Sequence, residues 1–133
     1  MMKVLLPVDV SERNLKTVER VKAEFAPGEV KITLLTVVEG AMHFKYNDEY
    51  ERHQQKRQQE LESLSELLEG YDVSTVILQG NPSSQILEYA EHNKFDMLIM
   101  TRSKRGALGK LGSVAARIVS EAPNMDLMIL REG

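Results

Sequence analysis

The 133-residue chain has no cysteine and no tryptophan. Without cysteine there is no disulfide framework, no thiolate-held metal or iron–sulfur cluster and no cysteine nucleophile. Aromatic residues make up only 5%, and no apolar stretch approaches the roughly 18 residues of a membrane-spanning helix. The first apolar run, Val4 to Val8, is five residues long before Asp9 interrupts it, too short for the core of a signal peptide. By elimination, the expectation is a cytoplasmic protein. Positive charge is not in excess either: 17 Lys and Arg stand against 20 Asp and Glu, a net charge of −3. That balance argues against a general binder of nucleic acid or of anionic membranes, so any positive site must be local.

Several catalytic signatures are also missing. No G-x4-G-K-[ST] is present, so there is no phosphate-cradling P-loop, and no G-x-G-x-x-G follows the first apolar run. No G-x-S-x-G exists to form a hydrolase nucleophile elbow. His43, His53 and His92 are not spaced as a pair on one helical face, which gives no basis for a dedicated metal site.

What is present is ordinary globular composition, 42% hydrophobic and 28% charged, in a length that suits one domain over residues 1–133. Five short apolar runs alternate with longer helical or polar stretches: Lys3 to Val8, Lys31 to Val38, Val73 to Leu78, Asp96 to Thr101 and Asp126 to Arg131. Four are nearly continuous in apolar residues, as strands covered on both faces are. The third alternates and is expected nearer an edge. Between them, Ser11 can cap a helix carrying Leu15, Val18, Val21 and Phe25, and Leu61, Leu64, Leu67 and Leu68 mark a second helix. Before that second apolar stripe, Lys45 to Glu60 holds almost no aliphatic residue and reads as a solvated helical extension or a loop. Asn81-Pro82 opens a third helix that buries Ile86, Leu87 and Ala90. A fourth begins near Gly112-Ser113 with Val114, Ala115, Ile118, Val119 and Ala122, and stops at Pro123. This pattern predicts an α/β fold: a three-layer α/β/α arrangement around a five-stranded parallel sheet of flavodoxin-like, Rossmann-like order 3-2-1-4-5. Ligands of such sheets bind beyond the carboxyl ends of the strands where the winding reverses. Pro7 to Ser11 and Thr101 to Ser113 would meet there.

Those segments carry a resemblance. VLLPVDVS is similar to the IL[VI]P-x-D-x-S of the universal stress protein family through Pro7, Asp9 and Ser11. The stretch from Thr101 to Ser113 resembles, in part, the G-x2-G-x9-G-[ST] of its nucleotide-binding members. Gly112 and Ser113 stand where the final Gly-Ser opens a helix, but Thr101 and Lys104 replace the first two glycines, and seven residues instead of nine precede Gly112. The likeness covers nearly the whole chain and implies an adenine nucleotide alpha hydrolase-like fold.

The resemblance also implies a nucleotide site. Asp9 would accept a hydrogen bond from the adenine or ribose end, Val37 would offer backbone groups to the adenine edge, and Pro7, Met100 and Ser103 would line the site. Physically, Gly112, Ser113 and Val114 at a helix start could donate to a phosphate. Thr101 and Lys104, by contrast, fill space that glycine leaves open. Arg102, Lys104, Arg105 and Lys110 could replace lost amide contacts by charge pairing, or be solvated loop charges. Asp9 has its own local reading, as the residue that orders the turn before the first helix.

The function so implied is a regulatory or protective protein of the stress response with weak or absent adenine-nucleotide binding, its ligand ATP or AMP, with Mg²⁺ if ATP. An ATP switch with slow hydrolysis is the alternative, although Asp9 is the lone acid at the expected site. A module that docks partners through Lys45 to Glu60 is a third reading. The last strand is expected at a sheet edge, where apolar Leu127, Met128, Ile129 and Leu130 invite pairing with a second copy, as in family members. A homodimer is therefore expected, with no nucleic-acid or membrane partner.

Overall fold

The computed structural model describes residues 1–9, 11–38, 47–102, 113–122 and 124–131. Strands and helices alternate strictly: β1 (Met2–Pro7), α1 (Arg13–Glu24), β2 (Val30–Val38), α2 (Asn47–Leu67), β3 (Asp72–Gln79), α3 (Pro82–His92), β4 (Met97–Thr101), α4 (Ser113–Glu121) and β5 (Asp126–Leu130). All strand pairings are parallel. The sheet order is β3-β2-β1-β4-β5, the order expected from right-handed crossovers. β3 lies at one edge, in keeping with its alternating pattern, and β5 at the other.

Continuous apolar strands end up buried on both faces because successive side chains point to opposite sides of the sheet. Val4, Leu6, Ile32 and Leu34 pack with Val18 and Val21 of α1, with Leu61 and Leu64 of α2 and with Leu68 just past its end. Leu5, Leu35 and Leu98 pack with Ile86 and Ala90 of α3 and Ile118 of α4. The two helix pairs thus form the outer layers.

The helices follow their sequence signals except at Leu15, Leu67, Val119 and Ser11. Leu15, expected in the apolar stripe of α1, is 48% exposed, because the buried face runs through Asn14, Thr17, Val18 and Val21. Leu67 and Val119 are exposed for the same reason of angular offset. Ser11 is not the residue flanking α1. Glu12 is, without a side-chain cap, while the Ser11 hydroxyl accepts from the Arg13 N–H at 3.2 Å. The polar stretch before Leu61 is helical from Asn47 onward, so α2 is the solvated extension. At α3 the Asn81 carboxamide caps the helix, accepting from the Ser84 N–H at 3.1 Å with Pro82 following. Among the described residues no helix is long and apolar enough to cross a membrane.

Candidate functional site

β1 and β4 are neighbours, and the chain leaves β1 toward α1 on one face and β4 toward α4 on the other. The helices cannot both cover the carboxyl edge between these strands, and a cavity of about 400 Å³ opens there. Pro7, Val8 and Asp9 line it from the end of β1, Leu35 and Val37 from β2, and Met100 and Thr101 from β4. Ser113 and Val114, at the start of α4, close another side, so that the first amide groups of a helix lie at the cavity wall.

Of the residues singled out from sequence, Pro7, Asp9, Val37, Met100, Thr101, Ser113 and Val114 all come to this cavity. Ser103, Lys104 and Gly112, with Arg105 and Lys110 of the basic stretch, lie outside the described residues. Sequence reading did not single out Arg13, Asn14 and Thr17 of α1 or Arg57 of α2, which also line the cavity, and it named Pro82 only as the opening of a helix and Ile86 only as a core residue. For Arg13 and Thr17 there was a usable signal: they follow Asp9 at intervals of four, the spacing of one helical face. Nothing local marks Arg57.

Asp9 is the centre of a closed local network. Its Oδ1 accepts the Ser11 N–H at 2.9 Å and the Ser11 hydroxyl at 2.5 Å, and its Oδ2 accepts the Arg13 guanidinium. Its backbone N–H donates to the Asn14 carboxamide oxygen at 3.1 Å, and the Asn14 amide donates back to the Asp9 carbonyl. The turn-ordering role of Asp9 is therefore real, whatever else the residue does. Burial raises the pKa of the carboxyl. The bonds from Ser11 and the charge and bond of Arg13 outweigh that, and the group is held below the usual carboxylate range. Such a carboxylate is a weak base near neutral pH. It is also only partly covered, with 45% of the side chain exposed.

Thr101, which stands where the nucleotide-binding pattern has its first glycine, turns its hydroxyl onto α1. Its Oγ1 lies 2.8 Å from Thr17 Oγ1 in a buried pair. Arg57 Nη1 donates to Thr36 Oγ1 at 3.2 Å. On the α3/α4 side, Arg117 donates to the hydroxyls of Ser84 and Ser83 at 2.6 and 3.0 Å and its Nε to Glu121 at 2.8 Å. This ties the start of α3 to α4 beside the cavity. The described residues contain no group of three His, Asp or Glu able to hold a metal ion, and His53 and His92 are exposed. Chemically, the cavity offers an apolar slot between Val37, Ile86, Met100 and Val114, bordered by three arginines and one aspartate.

The profile of the Universal stress protein family matches residues 1–130. The chain belongs to that family. Over 55 residues it is 36% identical to Universal stress protein MJ0531 of Methanocaldococcus jannaschii, a match covering 40% of this chain and 32% of that protein. The match thus spans about a third of that relative's length. The hypothetical protein MJ0577 superposes with a TM-score of 0.86 at 24% identity, over 97% of this chain and 94% of that one. A universal stress protein in complex with cAMP gives 0.78 at 18% identity, over 99% and 98%. A family member from Arabidopsis thaliana with AMP bound gives 0.73 at 19%, over 100% and 93%. At these identities the superpositions speak for the shared fold.

Proposed function

We propose that this universal stress protein binds an adenine nucleotide in the cavity at the carboxyl edge of β1 and β4, and acts as a regulatory or protective protein rather than through turnover. The observation that carries the reading is the cavity itself: about 400 Å³, apolar between Val37 and Met100, and bordered by arginines, in an otherwise acidic chain. Solved relatives of the same fold hold cAMP and AMP. In this reading the adenine edge meets backbone groups at Val37, Asp9 accepts from the ribose through its remaining lone pairs, and Pro7 and Met100 wall the slot. Ser113 and Val114 present their amides to phosphate, with the Ser113 hydroxyl adding one more donor, and Thr101, with Ser103, Lys104 and Gly112, borders the phosphate end. AMP is the simplest ligand, and ATP would bring Mg²⁺ with it.

Calorimetric titration of nucleotide-stripped protein with AMP, and with ATP plus Mg²⁺, tests this directly. Binding that weakens in Ser113→Ala is the expected result. No heat with either nucleotide up to millimolar concentration overturns it, and leaves a family member working through protein contacts alone.

The same reading places the protein in the cytoplasm, as one domain, in the stress response, and as a homodimer joined at the β5 edge. Leu127, Met128 and Ile129 are half-buried and Leu130 is 7% exposed within the chain, so pairing would rest on the strand backbone and the first three side chains. Sedimentation at tens of micromolar showing a species near 15 kDa, the mass of one chain, would remove the dimer.

A further inference from the structure

The walls of the cavity come from two layers of the fold. Its apolar slot of Val37, Ile86, Met100 and Val114 belongs to the cluster that the sheet shares with α3 and α4. Arg57 reaches the same cavity from α2, in the opposite layer. It stands one helical turn before Leu61, which packs on that other face of the sheet. Its guanidinium donates to the Thr36 hydroxyl at 3.2 Å. Thr36 is only 2% exposed and Arg57 is half-buried, so the group lies against the end of β2 rather than out in water. The next residue of β2 is Val37, where the base lies in the nucleotide reading.

A purine has two π-faces to cover. The apolar slot covers one. Among the described residues that line the cavity there is no aromatic ring to take the other. A guanidinium can take it, because it is planar, weakly hydrated and stacks on aromatic faces, which an ammonium does far less well. The Thr36 hydroxyl occupies one of its five N–H donors, and among the described residues Arg57 has no ion-pair partner, so the plane stays open to a ring.

We propose that Arg57 is a base-binding residue of this cavity, and that its guanidinium, held by Thr36, stacks on the face of the base that the apolar slot leaves open. The proposal rests on the nucleotide reading and adds to it a contact from α2, outside the strand ends and the start of α4.

The test is calorimetric titration with AMP of the wild type, Arg57→Ala, Arg57→Lys and Arg57→Tyr. In Arg57→Ala the affinity should fall about three- to thirtyfold, the size of a cation–π contact partly shielded from water. Arg57→Lys, which keeps the charge but loses the plane, should recover little of that loss. Arg57→Tyr, which loses the charge but restores a ring, should bind AMP more tightly than Arg57→Ala. Three results overturn the contact while leaving the nucleotide site intact: Arg57→Ala within about twofold of the wild type, Arg57→Lys equal to the wild type, or Arg57→Tyr no tighter than Arg57→Ala. A wild type that gives no heat with AMP up to millimolar concentration overturns the nucleotide reading, and the stacking contact with it.

Discussion

Replacing Thr17 and Thr101 by valine, singly and together, probes how the site is braced from behind. The two hydroxyls sit 2.8 Å apart, joining α1 to β4 across 84 residues of sequence, and their residues are 2% and 7% exposed. Valine keeps the branched shape, so the change isolates the hydrogen bond. The structure makes the two single variants unequal. When Thr101→Val removes one partner, Thr17 still has the Arg13 carbonyl at 3.3 Å, and the loss should be about 1 kcal/mol, one net hydrogen bond. When Thr17→Val removes the other, the Thr101 hydroxyl has no second partner among the described residues, and the cost should rise to about 2–3 kcal/mol for an orphaned buried group. The double variant orphans nothing. It should therefore be less destabilised than the sum of the singles by about 1 kcal/mol. Urea unfolding followed by circular dichroism, with slopes compared to confirm the same transition, reads all four corners of the cycle. Additive single effects, or a larger loss in Thr101→Val than in Thr17→Val, would refute the reasoning.

Asp9 gives a pH signature. Its folded pKa is lowered, so its contribution is present above the unfolded carboxyl range near pH 4 and is lost as pH falls toward and through the folded value. Asp9→Asn should flatten that acid-side fall in urea midpoint between about pH 5 and pH 3, and an unchanged slope would count against the network with Ser11 and Arg13. Ile118, fully buried between α4 and the sheet, should cost about 2–5 kcal/mol as Ile118→Ala. Leu15→Ala, at a half-exposed position, should cost under about 1 kcal/mol by the same unfolding curves. Gly80 has φ +135°, and a Cβ there would meet the Gln85 side chain at 3.2 Å. Gly80→Ala should therefore lower stability by about 1–2 kcal/mol, measured against Gly28→Ala, whose added Cβ meets nothing within 4 Å.

How much of this was legible beforehand depends on the range of the interaction. Apolar runs of strand length, punctuated by Asn81-Pro82 and by helical spacing at Val18, Val21, Leu61 and Leu64, already contain the element order, because period and capping are local properties of the backbone. Parallel strands joined by right-handed crossovers then leave little freedom in the sheet. The turn at Asp9 was legible for the same reason: an aspartate at the end of a buried strand, two residues before a serine, has its partners within reach of its own backbone.

Local pattern along the chain thus accounts for the strands, their order and the edge at which the cavity opens. What fills that edge follows from packing between elements. Which stripe of α1 is buried depends on the sheet it meets, so Leu15 faces out while Asn14 and Thr17, both polar, face in. Thr101, which reads in sequence as an obstruction, is turned onto α1 by a hydroxyl 84 positions away. Arg57 reaches Thr36 from a helix turn that its neighbours mark only as solvated. Such contacts follow from where packed helices place their side chains after the core has closed, and no local pattern of residues encodes that placement.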